Sequence, residues 1–313
     1  MDERAAADSC ILVCPACHGP LAASAPLLAC AACGRSFPVD DGIADFSDRQ
    51  YFDDHPDPAS LSEEARRGYE NENAGRRIED YYLPLLRATG ARSVLDSGCG
   101  NGEAIDLLSD AGFAAWGHDL SAFRKWQWKA RKRRDRLVVA DGLRLPFPDA
   151  CFDAVICSGV LEHIGVDERG GPGAYEVSAL PDRDARRAAF VAGLVRVLAR
   201  GGVLYLDFPN GGFPIDFWHG PSAGGARWHS PFEGFLPKMR EIAALAGSLE
   251  PACRVCVRSP HRRLRFNQVA GHWYGRLFRS PMKAFFALMS VPGFGWLAGT
   301  ALNPYLVLEI RRR

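Results

Sequence analysis

The segment Val94-Leu95-Asp96-Ser97-Gly98-Cys99-Gly100-Asn101-Gly102 constrains this chain more than any other. An apolar run short enough for a buried strand ends on an acid, and glycines then alternate with other small residues. Glycine reaches backbone conformations closed to other residues and lets a ligand approach a main chain without a Cβ in the way. From Glu103 to Ala111, apolar Ala104, Leu107, Leu108 and Ala111 recur at helical spacing, with Gly112 as the stop. Strand, glycine loop and helix make the opening unit of a doubly wound α/β sheet, whose ligands sit at the carboxyl ends of the strands. The spacing differs from G-x-G-x-x-G, which sets a pyrophosphate on a helix N-terminus. The acid before the loop repels phosphate and suits a cationic ligand.

Further strand ends follow in order. A strand over Phe113 to Gly117 runs into His118-Asp119-Leu120-Ser121, an acid near the interval of about 20 residues expected for a ribose-binding carboxylate. A third strand, Leu137 to Ala140, runs into Asp141-Gly142, and a fourth, Phe152 to Cys157, into Ser158-Gly159-Val160-Leu161-Glu162-His163. Leu194 to Leu206 has the shape of a helix, a Gly-Gly turn and a fifth strand. In this order the segments resemble the class I S-adenosylmethionine (SAM) methyltransferases, with V-L-D-x-G-C-G-x-G as their first motif and V-L-E-H as the segment flanking the methyl donor. The resemblance implies a Rossmann-like α/β fold: a mostly parallel seven-stranded sheet with helices on both faces. It implies SAM as cofactor, with Asp96, Gly98, Gly100 and Gly102 around the methionine end and Asp119 and Leu120 at the ribose. Asp141 and Gly142 fall at the adenine, and Ser158 and Leu161 beside the methyl group.

Ten cysteines invite a disulfide reading, but their placement favours metal. Cys14-Pro15-Ala16-Cys17 and Cys30-Ala31-Ala32-Cys33 are two C-x-x-C knuckles separated by a short loop, the spacing that converges four thiolates on zinc. Four cysteines leave no open coordination position, so the expected Zn2+ is structural, folding a segment too small for its own core. Phe37 to Phe46, F-P-V-D-D-G-I-A-D-F, resembles the tail of Trm112-like zinc ribbons. Cys253 and Cys256 would face opposite sides of a strand. They are read, with Cys99, Cys151 and Cys157, as small buried apolar residues.

The expected organisation is a zinc ribbon over 1–48, a polar linker over 49–75, and a methyltransferase domain over 76–313 with substrate-binding insertions at 207–235 and 264–302. Arg76 to Arg87 reads as a helix, with Ile78, Tyr82, Leu85 and Leu86 lying over the cofactor, and Gly165 to Pro181 as a loop or lid. Ala284 to Leu302 is almost wholly apolar and flanked by Arg and Lys, but Pro292 and Gly293 interrupt it and Tyr305 to Ile310 reads as the last strand. It is expected to form two short helices that cover a pocket or touch a membrane interface peripherally. The basic run Arg124 to Arg136, interleaved with Trp126 and Trp128, reads as a helix facing solvent, anionic headgroups or nucleic acid. A net charge of +1 exerts no global pull toward nucleic acid. The polar opening residues point to the cytoplasm.

The chemistry expected is methyl transfer to a heteroatom, oxygen foremost, of a small-molecule, glycan or lipid-linked acceptor. The segment after the fourth strand lacks the N/D-P-P-Y/F sequence that serves planar amino groups. An oxygen acceptor needs proton removal, for which histidine suits neutral pH. His163 is the first candidate base, followed by His219, His229 and Asp216; each histidine also has an ordinary structural reading. The rivals are an rRNA base methyltransferase with a zinc module and a noncatalytic scaffold that keeps the fold.

Overall fold

The computed structural model of this chain describes residues 12–47, 74–171, 174–219, 226–249, 253–263 and 273–313. The linker expected at 49–75 lies outside these except for its last two residues, as do 264–272 of the expected C-terminal insertion. The chain divides into two compact units, one of residues 1–156 with 193–202 and one of 157–192 with 203–313.

In the first unit, strands β1 (Leu21–Ser24), β2 (Leu27–Cys30), β3 (Ser36–Asp40) and β4 (Ile43–Asp45) form an antiparallel meander. After it come β5 (Ser93–Ser97), β6 (Ala114–Asp119), β7 (Leu137–Val139) and β8 (Phe152–Ser158), the last running on into the second unit. The strand order is β1-β2-β3-β4-β7-β6-β5-β8, with β4, β7, β6 and β5 pairing in parallel. The cysteine-bearing meander is thus one sheet with the α/β strands, Ala44 lying beside Val138 and Asp45 beside Val139. Val94, Leu95, Val138 and Val139 are buried, as expected of parallel strands covered on both faces. Strand β6 reaches Asp119, two residues beyond the sequence expectation, because Ser97 pairs with His118 and Val139 with Asp119.

Helix α1 runs from Ala74 to Thr89 and contains a π turn over Ile78–Tyr82. Pro84 follows it in the first turn of the last segment, and Gly90 stops the helix in the left-handed conformation. Ile78, Tyr82 and Leu86 are buried as the spacing predicts. Helix α2 (Glu103–Asp110) follows the glycine loop, and α3 (Ala122–Trp128) is capped by the Ser121 side chain, which accepts from the Arg124 amide. The basic run is therefore only half helix, ending at Trp128.

In the second unit, residues 165–181 are not an irregular lid. They form an antiparallel hairpin of β9 (Val166–Gly171) and β10 (Ala174–Ala179), in which Glu168 faces Val177. Its sequence is poor in β-branched residues, which hides the strands. Helix α4 (Arg183–Val197) and β11 (Leu198–Pro209) cross between the units in sequence. A small pair, β12 (Ile215–Asp216) and β13 (Arg227–Trp228), precedes α5 (Met239–Gly247) and β14 (Cys253–Arg258). Helix α6 (Trp273–Leu288), a 3-10 turn over Gly295–Gly299 and β15 (Tyr305–Arg312) complete the chain. Strand β15 pairs antiparallel with both β11 and β14, which gives the expected last strand its place. Among the described residues, no helix is long and apolar enough to cross a membrane. Cys99 and Cys157 are buried as expected; Cys151 and Cys253 are half-buried, and Cys256 is exposed because β14 alternates one face toward solvent.

Candidate functional site

The four cysteines of the meander converge. Their sulfurs lie within 4.8 Å of one another, with Cys14–Cys33 at 3.7 Å and Cys17–Cys30 at 3.4 Å. Tetrahedral zinc with bonds of about 2.3 Å requires sulfurs about 3.8 Å apart, so the set fits the ion. The two knuckles are built alike. In each, the first cysteine's carbonyl accepts the amide four residues on (His18 to Cys14, Gly34 to Cys30), with that residue left-handed at φ 57° and 72°. Burial would raise the Cys30 thiol, but the amides of Cys33 and Ala32 bring it down to about 7.

At the carboxyl ends of β5, β6 and β7 stand three acids. Asp96 is fully buried and accepts from Arg77 Nη2 at 3.3 Å. The loop after it carries left-handed Gly98, Gly100 and Gly102, with φ of 73°, 55° and 76°. A Cβ on Gly102 would come within 2.8 Å of Leu137 Cδ1, so this position excludes larger residues on both counts. Asp119 accepts the Gly100 amide at 3.0 Å and the Leu120 amide at 2.8 Å, which locks loop and carboxylate together. Burial raises its pKa against the opposing pull of Arg124 and these amides. Asp141 accepts the Leu143 amide at 2.9 Å, and Gly142 beside it is half-buried. Two buried donors in this region, Arg77 Nε and Asn101 Nδ2, have no hydrogen-bond partner among the described residues. Carboxylates at three successive strand ends, with buried donors among them, suit a zwitterionic, cationic nucleoside such as SAM.

Residues that the sequence reading left unused hold this loop. His118 bridges the three strands, its Nδ1–H directed at the Ala140 carbonyl at 3.3 Å and its Nε2 accepting from the Ser97 hydroxyl at 2.8 Å. Burial lowers its pKa to about 4, keeping the ring neutral. Trp128 Nε1 donates to the Gly100 carbonyl and Arg131 Nε to that of Asn101, both at 2.7 Å. The rest of the basic run is similarly engaged: Lys125 pairs with buried Asp45 at 2.8 Å, Lys129 with Asp40 and Asp41, and Lys132 with Asp110. Its lysines thus pair with acids of their own chain.

In the second unit, Ser158 at the end of β8 donates to Asp207 Oδ1 at 2.7 Å, and Asp207 also takes Arg263 and the Tyr305 hydroxyl. Leu161 and Glu162 are buried in a short 3-10 turn. Arg187, also buried, braces this turn by donating to the carbonyls of Glu162 and Ile164, and reaches that of Phe235. Burial lowers its pKa to about 10. His163 Nδ1 contacts Glu168 Oε1 at 2.7 Å, and Tyr175 donates to the other oxygen of Glu168. His219 Nδ1 contacts Asp216 Oδ2 at 3.0 Å.

The structure thus brings Glu162, His163 and His219 together, their candidate donor atoms all within 4.8 Å. The two imidazoles meet edge to face at 5.2 Å. Asp216 is occupied rather than available as a base. Its carboxylate accepts from the Trp218 and His219 amides, the His219 ring and Arg227. Burial would raise its pKa, but the His219 contact and Arg227 hold it below the usual range. His229 belongs to a different group of contacts, with Ser230 and Glu233.

Comparison with known proteins finds two family matches. A methyltransferase-domain family model matches residues 95–206, and a Trm112p-like protein model matches residues 10–42. A probable S-adenosylmethionine-dependent methyltransferase of Mycolicibacterium smegmatis is 30% identical over 43% of this chain and 45% of its own length. One of Mycobacterium tuberculosis is 28% identical over 43% and 42%. The chain therefore spans less than half the length of these curated relatives. Among solved structures, a magnesium protoporphyrin IX methyltransferase from Synechocystis with bound SAM aligns with a TM-score of 0.41 and 17% identity, covering 77% of this chain and 80% of its own. Residues 95–206 of the chain thus match a methyltransferase domain, and they are preceded by a Trm112p-like segment whose four cysteines suit zinc.

Proposed function

We propose that this protein transfers a methyl group from SAM to an oxygen of a small-molecule, glycan or lipid-linked acceptor. The observation that carries the reading is the acid-and-glycine cradle at the ends of β5 to β7, in which Asp96, Asp119 and Asp141 follow in strand order. When bound, SAM supplies an electrophilic methyl group on a cationic sulfur. Asp96 receives the methionine ammonium and Arg77 the carboxylate, while the left-handed glycines keep side chains out of the cradle. Asp119 takes the ribose hydroxyls, and Asp141 with Gly142 the adenine. Sulfur is already a good leaving group, so alignment and exclusion of water are the protein's main contributions.

Acceptor activation falls to Glu162, His163 and His219. The carboxylate contact at Nδ1 fixes the ring of His163 through a third group. The exposed apolar residues Val291, Phe294, Trp296 and Leu302, with Lys283 nearby in sequence, support a peripheral contact with an anionic membrane. Methyl transfer is tested by calorimetric titration with SAM and by turnover on an acceptor panel. Asp96→Asn is expected to weaken SAM binding at least about tenfold, the lower end for a charge-assisted hydrogen bond. His163→Ala is expected to abolish turnover while sparing SAM affinity; full turnover in that variant refutes its role.

A further inference from the structure

We infer that Glu162, His163 and His219 form a binding site for a divalent transition-metal ion, separate from the four-cysteine site. Two imidazoles and one carboxylate are the donor set of a facial triad, which leaves positions open on the metal. Their donor atoms are already gathered within 4.8 Å, although they come from a 3-10 turn and from a segment more than 50 residues on.

Two features distinguish this cluster from a chance meeting of polar side chains. The first is its outer shell. Metal-bound histidines typically give their other ring N–H to a carboxylate, which fixes ring and tautomer and makes the ligand nitrogen more basic. Both histidines here have that arrangement, His163 with Glu168 at 2.7 Å and His219 with Asp216 at 3.0 Å. Each ring would meet a metal through Nε2. The carboxylates are in turn anchored, Glu168 by the Tyr175 hydroxyl and Asp216 by Arg227 and two backbone amides.

The second is Glu162. It is 1% exposed, and its Oε2 is buried without a hydrogen-bond partner among the described residues. An unpaired carboxylate oxygen in the interior is costly, and a cation shared with the two imidazoles satisfies it. Arg187, the nearby buried cation, is committed to the backbone carbonyls of residues 162, 164 and 235.

Binding of the ion does not depend on the methyl-transfer reading; only its chemical role rests on it. In that role the ion holds an acceptor hydroxyl and makes it more acidic. The hydroxyl proton passes to water, oxygen forms the new bond to the methyl carbon, and the carbon–sulfur bond breaks with its electron pair kept by sulfur. His163 then acts as a ligand rather than as a free base.

The test uses full-length protein with its cysteine site loaded with zinc. Mn2+ is titrated and followed by electron paramagnetic resonance, and Zn2+ is assayed as a second equivalent retained after desalting. The expected result is one additional ion per chain for at least one of the two metals. Affinity is expected to fall at least about tenfold in Glu162→Gln and His219→Ala, and about 10–100-fold in the outer-shell variant Asp216→Asn. SAM titration of the same preparations reports folding and separates a failure of the metal site from a failure of the methyl-transfer reading. The inference is overturned if neither metal binds beyond the cysteine equivalent, or if Glu162→Gln, still folded and binding SAM, binds the ion as tightly as the parent.

Discussion

His118 makes the cofactor face sensitive to acid, and the size of the effect follows from its surroundings. The ring is buried between Ser97 and Ala140, with one nitrogen donating and the other accepting, so both contacts suit the neutral form. Protonation removes the acceptor and places an uncompensated charge in the interior. The folded pKa is lowered from 6.5 to about 4. Because the unfolded chain binds this proton first, the stabilising contribution is intact above about pH 6.5 and is lost progressively toward about pH 4. Between about pH 7.5 and about pH 4.5 the loss from this one group comes to about 2–3 kcal/mol. Urea unfolding midpoints of the parent and of His118→Asn, whose amide keeps a donor near Nδ1 but does not titrate, isolate the term. Other acids and the cysteine site titrate alike in both proteins and cancel in the difference. The variant is expected to lose about 2–3 kcal/mol less than the parent over that interval. Parallel losses would falsify the assignment of a neutral, buried His118.

Further expectations concern the joints of the molecule. Lys125→Met removes the ammonium paired with the buried Asp45 carboxylate, which keeps the Ser47 amide and hydroxyl. Breaking a buried pair typically costs about 3–5 kcal/mol, and because Ser47 stays in place we expect about 2–3 kcal/mol, read from the urea midpoint. Removing zinc with a chelator should unfold the meander and weaken SAM binding, since β4 pairs with β7; unchanged SAM affinity in metal-free protein would separate the two. Replacing Trp296 and Leu302 with serine should reduce sedimentation with anionic vesicles and leave SAM affinity intact; equal sedimentation would remove the peripheral-contact reading.

The parts of the fold that were legible in the sequence have local signals. Asp96, the alternating glycines, Asp119 and Asp141 are set by strand ends and backbone conformation, which a short stretch of residues determines. The paired C-x-x-C knuckles are equally local, because a repeated turn places each pair of thiols. The hairpin over residues 166–179 was missed because its stability rests on cross-strand pairing and on the His163–Glu168–Tyr175 chain rather than on β propensity. His219 read only as one of several histidines in an aromatic segment. Its meeting with Glu162 and His163 is a tertiary fact, and so are the roles of Arg187 and Arg263, whose targets lie far away in sequence. A signal was available for His118: a polar residue inside an otherwise buried strand needs partners, and neighbouring strand ends are the nearest source.

The basic run shows how a suggestive composition resolves into structure. Strand β7 is only three residues long and would otherwise be an exposed edge, a liability for any parallel sheet. Strand β4 covers that edge, and the Phe46 amide extends the pairing to the Val139 carbonyl at 2.7 Å. Covering it brings Asp40, Asp41 and Asp45 of the meander to the sheet, and α3 with the turn after it answers with Lys125 and Lys129. The same stretch sends Trp128 and Arg131 to the carbonyls of Gly100 and Asn101. A single segment therefore ties the cysteine-bearing meander on one side to the glycine loop on the other. Its positive charge answers acids brought there by strand pairing, and the coupling runs from the cysteine-bearing meander through β7 to the acids at the strand ends.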